Sequence, residues 1–169
     1  MNRVTTISAD GLALLEHFEG CELKAYKCPA GVWTIGYGTT RYPDGRKVQP
    51  GDKLASRMDA WKLKAADLRN IEKQVDDLTR DDISQHQFDA LVSFVYNLGD
   101  GALRGSTLLK LVNDPATDSE RITTEFLKWD NLHINGKFVK DYPGLNRRRR
   151  SEANLYNTGT LKFFETSKK

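Results

Sequence analysis

Residues 18–40, FEGCELKAYKCPAGVWTIGYGTT, combine a helix end, a hairpin and several small polar side chains. Gly20 ends a short amphipathic helix, and Glu19 lies at the apolar edge of that helix. Two strands follow at 23–28 and 32–38, joined by the turn PAG. This stretch therefore predicts a small antiparallel sheet beside a helix that ends on a glutamate.

Alternation along the second strand divides its side chains between two faces. Trp33, Ile35 and Tyr37 point to one face, whereas Thr34 and the neighbouring glycines point to the other. Because glycine has no side chain, we expect the Thr34 face to be open and able to admit a ligand. The segment RYPDGRKV that follows predicts a second turn and a third strand.

The rest of the chain has the pattern of helices. Residues 56–78 contain no Gly or Pro and carry apolar residues at helical spacing, which predicts one helix of about 20 residues. The apolar segment ISQHQFDALVSFVYNL predicts the central core helix, with its N-terminal cap within residues 79–82. Shorter helices are expected at 106–112, at 118–130 and at about 145–157. This order of elements predicts an α+β fold.

Composition restricts the class of protein. The 169 residues fit one domain, and no segment approaches the ~18 apolar residues of a membrane span. The first residues lack an apolar signal segment, so we expect synthesis in the cytoplasm and free thiols at both cysteines. Residues 121–169 hold 11 Lys or Arg against 5 Asp or Glu, which predicts an anionic partner.

The order Glu19, eight residues, Cys28, five residues, Thr34 resembles the active-site pattern of the phage-type lysozymes of glycoside hydrolase family 24, in which Asp or Cys holds the middle position. The later motifs QFDALVSFVYNLG, STLLKLVN and PGLNRRRRSEANL occur in the family's order. The resemblance therefore covers roughly residues 8–157, a length that a chance match rarely reaches. Thr39 is a departure, since many members have His there.

The resemblance implies a lysozyme-like α+β fold in one catalytic domain, 1–169. A β-rich lobe at about 20–55 and a helical lobe at about 79–160 would be joined by the helix at about 56–78. It also implies an endolysin that hydrolyses the β-1,4 bond between N-acetylmuramic acid and N-acetylglucosamine in peptidoglycan, as a monomer without cofactor or metal. From the host cytoplasm the protein would reach the periplasmic wall after a holin opens the membrane.

The resemblance assigns catalytic roles that the chemistry supports. Splitting an acetal requires a proton on the leaving oxygen, and Glu19 would supply it as general acid. Cys28 and Thr34 would hold the attacking water or stabilise the oxocarbenium ion, and the family favours inversion. An ordinary thiol is only a few per cent thiolate at pH 7, so we expect Cys28 to place water more than to remove its proton. Tyr96 and Asn97 are candidate substrate-binding residues, with core packing and helix capping as alternatives.

Several alternatives stay open. A lytic transglycosylase would form a 1,6-anhydro sugar without a second catalytic group, and a non-catalytic module would only bind peptidoglycan or nucleic acid. Cys21 is expected to pack, although a disulfide to Cys28 in an oxidising periplasm would switch the enzyme off. The four arginines at 147–150 point in four directions on a helix. Some would pair with Glu152 or other acids, and the others would attract anionic cell wall or lipopolysaccharide rather than a specific nucleic acid.

Overall fold

A computed structural model describes residues 3–28 and 31–165 of the chain. Within them lie seven helices and two two-stranded antiparallel sheets, so the predicted α+β class is confirmed. The helices are α1 (Ala9–Phe18), α2 (Arg57–Leu78), α3 (Gln85–Leu98), α4 (Asp100–Arg104), α5 (Thr107–Val112), α6 (Ser119–Leu127) and α7 (Pro143–Thr158). The strands are β1 (Glu22–Lys27), β2 (Trp33–Gly36), β3 (Leu132–Ile134) and β4 (Lys137–Val139).

The chain divides into two compact units, one formed by Glu16–Asn70 and the other by Met1–Leu15 with Ile71–Lys169. The boundary falls inside α2, which confirms the predicted long helix at 56–78. This helix begins after Ser56, whose Oγ accepts the backbone N–H of Asp59 at 3.2 Å. The arrangement of one domain with two lobes stays a prediction.

The unit Glu16–Asn70 contains the predicted hairpin. β1 and β2 pair antiparallel, with Tyr26 opposite Thr34, and an irregularity in the register precedes Tyr26. Within the predicted turn PAG, Pro29 and Ala30 lie outside the described residues. The predicted third strand is wrong, because among the described residues the second turn is flanked by isolated bridges, Arg41 to Lys47 and Lys53 to Lys24, and not by a strand.

The other unit is built around α3, whose central residues 88–95 are all buried. Helices α3 and α6 both pack against α7. The cap predicted within residues 79–82 is wrong. Ser84 caps α3 instead, because its Oγ accepts the N–H of Gln87 while the Gln87 side chain accepts the N–H of Ser84.

The hairpin β3–β4 lies in a region that the sequence pattern predicts as a loop. Leu132 pairs with Val139, and the two strands are joined by Asn135 and Gly136, which both have positive φ. Asn-Gly with positive φ at both residues is typical of a type I′ hairpin turn. The signal was therefore present in the sequence, but strands of three residues were too short to show alternation.

Candidate active site

Glu19 lies directly after the last residue of α1 and is half-buried. Three residues later the chain enters β1, so the glutamate sits on a short connection between a helix and a strand. The sequence prediction of Glu19 at the end of a helix is confirmed by the end of α1 at Phe18. Its role as general acid stays a prediction.

Cys28 and Thr34 meet at one backbone carbonyl. The N–H of Cys28 donates to the carbonyl oxygen of Val32 at 2.9 Å, and the hydroxyl of Thr34 donates to the same oxygen at 3.1 Å. The Cys28 carbonyl in turn accepts the N–H of Gly31 at 2.8 Å, which closes the hairpin end. The hairpin thus brings together two of the three residues that the spacing predicts for the site.

The predicted openness of the Thr34 face is wrong at its centre, although Val32 and Gly38, which alternation assigns to the same face, are exposed. Thr34 is only 4% exposed, and Gly36 on the same face is buried. A Cβ at Gly36 would lie 3.0 Å from Cβ of Ala60 and 3.3 Å from Cδ1 of Leu54. The small residues of this face therefore let α2 approach the sheet closely.

An aromatic pair lies within the same unit as Glu19. The rings of Tyr37 and Trp61 stack with centroids 4.2 Å apart and planes 26° apart. Trp61 Nε1 donates to Glu16 Oε1 at 2.7 Å. Burial, together with the neighbouring Cys21 and Glu16, raises the pKa of Tyr37 to about 12. Sequence reasoning assigned Tyr37 to a strand face and Trp61 to the apolar face of a helix, and it missed the hydrogen bond from Trp61 to Glu16.

The two candidate substrate-binding residues lie on α3 in the other unit. Tyr96 and Asn97 are both half-buried near the C-terminal end of the helix. Asn97 Oδ1 accepts a hydrogen bond from Arg149 at 2.6 Å. The capping alternative for Asn97 is not supported, because the N–H of Gly99 makes the cap bond to Val95. Substrate binding by either residue stays a prediction.

The arginine tract is largely structural. Arg148 and Arg149 are buried and form ion pairs with the fully buried Glu152, at 3.1 and 3.2 Å. Ser93 Oγ donates to the same carboxylate at 2.6 Å. The predicted pairing with Glu152 is confirmed, and two of the four cations are accordingly turned into the protein rather than toward an external anion.

Three further findings concern metals, thiols and membranes. Across residues 3–28 and 31–165, no group of three or more His, Cys, Asp or Glu side chains is placed to hold a metal ion. Cys21 and Cys28 are free thiols, as expected. In the same part of the chain, none of the helices combines the length and apolar character needed to cross a membrane.

Comparison with known proteins identifies the family. The model of the phage lysozyme family matches residues 16–152. The endolysin of Bacillus phage B103 is 43% identical over 166 residues, which are 96% of this chain but 59% of that protein. The endolysin of Salmonella phage P22 is 35% identical over 150 residues, which cover 89% of this chain and 97% of that protein.

A solved structure points to the same family. The endolysin from Escherichia coli O157:H7 phage FAHEc1 superposes with a TM-score of 0.81 at 34% identity, covering 96% of this chain and 99% of that one. Some more distant relatives are named SAR-endolysins. One of them, from Bacteriophage PS119, is 33% identical over 81% of this chain and 75% of that protein. The lysozyme-like form of the α+β fold is thereby confirmed. The chain therefore belongs to the phage lysozyme family, the muramidase glycoside hydrolases with which phage endolysins degrade peptidoglycan and lyse the host.

Proposed function

We propose that the enzyme hydrolyses the β-1,4 bond between N-acetylmuramic acid and N-acetylglucosamine, with Glu19 as general acid and with Cys28 and Thr34 placing the attacking water. The observation that carries this proposal is the Val32 carbonyl, which accepts hydrogen bonds from both Cys28 and Thr34. It joins the two residues whose spacing from Glu19 matches the family pattern.

The hydrogen-bond direction at the Thr34 hydroxyl is defined. Its hydrogen is directed at the Val32 carbonyl, so its oxygen presents lone pairs to any further partner. A water beside it would donate one O–H to Thr34 and keep a lone pair available for the sugar C1. Thr34 is therefore suited to orient water as an acceptor, and this requires no change in its own protonation.

Cys28 would supply the second contact to that water. Its backbone is fixed on both sides, by the bond to Val32 and by the bond from Gly31, while its side chain is half-buried. In the reaction Glu19 gives its proton to the leaving oxygen, the C1–O bond breaks and the water oxygen bonds to C1. The proton released by the water passes to bulk solvent when Cys28 is a thiol, or to the sulfur when it is a thiolate.

The decisive experiment compares Glu19→Gln with Glu22→Gln in a turbidity assay on purified peptidoglycan. Both variants remove one carboxylate from the same segment, and Glu22 is exposed at the start of β1. We expect Glu19→Gln to lose at least about a thousandfold in rate, because the proton donor is gone. Glu22→Gln should keep the parent rate. Substantial lysis by Glu19→Gln would overturn the assignment.

Two product measurements separate hydrolysis from its alternatives. Mass spectrometry of the released muropeptides should show reducing ends, whereas a lytic transglycosylase would give 1,6-anhydro products lighter by one water. Proton NMR during turnover should show the α anomer first if the water attacks the face opposite the leaving group. A first-formed β anomer would instead indicate retention.

We also propose that the enzyme accumulates in the host cytoplasm and is released by a holin, acts as a monomer and contacts the anionic envelope through its basic C-terminal region. The burial of Arg148 and Arg149 leaves this contact to exposed cations such as Lys137 and Lys140 on β4 and the loop after it. Expression with and without a holin tests the route, since lysis without one would contradict it. Sedimentation with purified lipopolysaccharide, comparing the parent with Lys137→Glu, tests the contact.

A further inference from the structure

The β1–β2 hairpin brings four side chains together on one face of its sheet. Tyr26 lies opposite Thr34 in the register of the two strands. The N–H of Cys28 donates to the Val32 carbonyl at 2.9 Å, so the same register places Cys28 opposite Val32. Residues two apart on a strand share a face, and so do residues that lie directly opposite each other. All four side chains therefore lie on the face that carries the two candidates for placing water.

Two members of this face are apolar and exposed. Tyr26 is 38% exposed and Val32 is 47% exposed, whereas Thr34 is 4% exposed. The other large hydrophobic side chains that are exposed among the described residues are Met58, Phe138 and Phe163. Tyr26 and Val32 are diagonal neighbours across the strand pair, a separation of about 7–8 Å. Exposed apolar surface around a few polar groups is typical of a ligand-binding site.

The reaction geometry brings a sugar ring within reach of Tyr26. A water held between Cys28 and Thr34 must lie about 3–3.5 Å from the sugar C1 that it attacks. The Cβ atoms of directly opposite residues are about 4.5–5.5 Å apart, so the Tyr26 side chain begins beside the threonine that would contact this water. The pyranose ring that contains C1 therefore lies next to the aromatic ring.

The chemistry of the Tyr26 side chain suits a sugar. A pyranose carries its hydroxyl and acetamido groups around its rim, while the faces of the ring present C–H bonds. A flat aromatic ring covers such a face without competing for the hydrogen bonds of the rim, and the tyrosine hydroxyl keeps a polar end in water. Flexible side chains of a wall peptide offer no flat apolar face of this kind.

We propose that Tyr26 is a sugar-binding residue, on whose ring the C–H face of the N-acetylated pyranose packs while C1 of that sugar lies over the water placed by Cys28 and Thr34. This inference rests on the proposed placement of water by these two residues. It assigns to Tyr26 a contact with the glycan strand, and none with the stem peptides of the wall.

The first test is a steady-state analysis on soluble peptidoglycan chains, following reducing ends. Tyr26→Thr keeps a strand-forming residue but removes the ring. We expect KM to rise about tenfold, the loss that follows when about 50 Å² of apolar surface is no longer covered. The value of kcat should change far less, because the ring contact is made before and during the reaction. Tyr26→Phe keeps the ring and should raise KM by less than about threefold.

Phe163→Thr is the matched control, since it removes an aromatic ring that is also 38% exposed, but in the other unit. It should keep the parent KM. A rise in KM that Phe163→Thr reproduces, or a loss in Tyr26→Phe as large as that in Tyr26→Thr, would overturn the stacking role. Thermal melting of each variant identifies a fall in activity that comes from unfolding.

The second test measures binding in the Glu19→Gln background by isothermal titration calorimetry. The probes are soluble glycan chains with their stem peptides and the same chains after the peptides have been removed. Adding Tyr26→Thr should weaken binding of both probes about tenfold. A loss confined to the peptide-bearing chains, or no loss with either probe, contradicts the proposal. If Glu19→Gln still lyses peptidoglycan, the proposed function fails; if it is inactive while Tyr26→Thr binds both probes as the parent does, only the sugar-binding role fails.

Discussion

Replacement of Glu152 by Gln should be among the most destabilising single changes in the helical unit. The carboxylate is 0% exposed, accepts from Ser93 and pairs with both Arg148 and Arg149. Gln keeps the shape of the side chain but removes the charge that compensates two buried guanidinium groups. Breaking a buried ion pair by removing one partner costs about 3–5 kcal/mol, so the unfolding free energy should fall by that amount.

Urea unfolding and thermal melting measure this loss. For a chain of this length the melting temperature should fall by about 10 °C. Asp77→Asn is the control, because its ion pair with Lys73 at 2.6 Å lies on the surface and should contribute less than ~1 kcal/mol. If Glu152→Gln costs no more than Asp77→Asn, the arginines do not depend on this carboxylate, and their structural assignment is refuted.

Three further outcomes follow from individual contacts. Gly36→Ala should lower the free energy of unfolding, measured in urea, by about 2–3 kcal/mol, because a φ of +62° is strained for alanine and its Cβ would lie 3.0 Å from Cβ of Ala60. Gly38→Ala has a φ of +86° but no atom within 4 Å of its Cβ, so it should lower the free energy of unfolding by only about 1 kcal/mol. Burial raises the pKa of Tyr156 to about 12, against about 10 in the unfolded chain. The folding stability that Tyr156 contributes is therefore complete below pH 10 and is lost as the pH rises toward 12. In Tyr156→Phe the urea midpoint of unfolding should fall less steeply over this pH range. Thiol alkylation should abolish lysis in step with modification of Cys28, as mapped by peptide mass spectrometry. Cys28→Asp should keep lysis, whereas Cys28→Ala should lose most of it. A fully active alanine variant would contradict the role of Cys28 in placing water.

The elements that the sequence predicted correctly are those with a long or repeated signal. The 22 residues of α2 contain no helix breaker, and α3 carries an apolar face at each turn. The spacing of Cys28 and Thr34 also sufficed to place them at one hairpin, since a short turn leaves few registers. Local periodicity and local connectivity therefore account for most of the correct predictions.

The errors arise where tertiary contacts override a local rule. Thr34 and Gly36 are small residues typical of an open face, but both are buried, and the approach of Ala60 of α2 to Gly36 has no signature in the strand itself. The arginine tract is similar, because its burial depends on Glu152 one turn away and on Ser93 from another helix. Pairing between distant segments decides both cases, and a single sequence does not display it.

The hairpin that carries Cys28 and Thr34 cannot hold its own geometry. A two-stranded sheet is marginal in water, and β2 has only four residues. Side chains outside the strands must therefore supply the rigidity. Asp52 does so beside β1, because its carbonyl accepts the N–H of Ala25 at 2.9 Å. Its side chain is held in turn by Gln49, Arg46 and Tyr42, whose hydrogen bonds lower its pKa.

On the β2 side, Trp61 stacks on Tyr37 and donates to Glu16, three residues before Glu19. Tyr37 directly follows β2, so the stack lies at the end of the strand that carries Thr34. The rigidity of this hairpin therefore comes from side chains that lie outside β1 and β2.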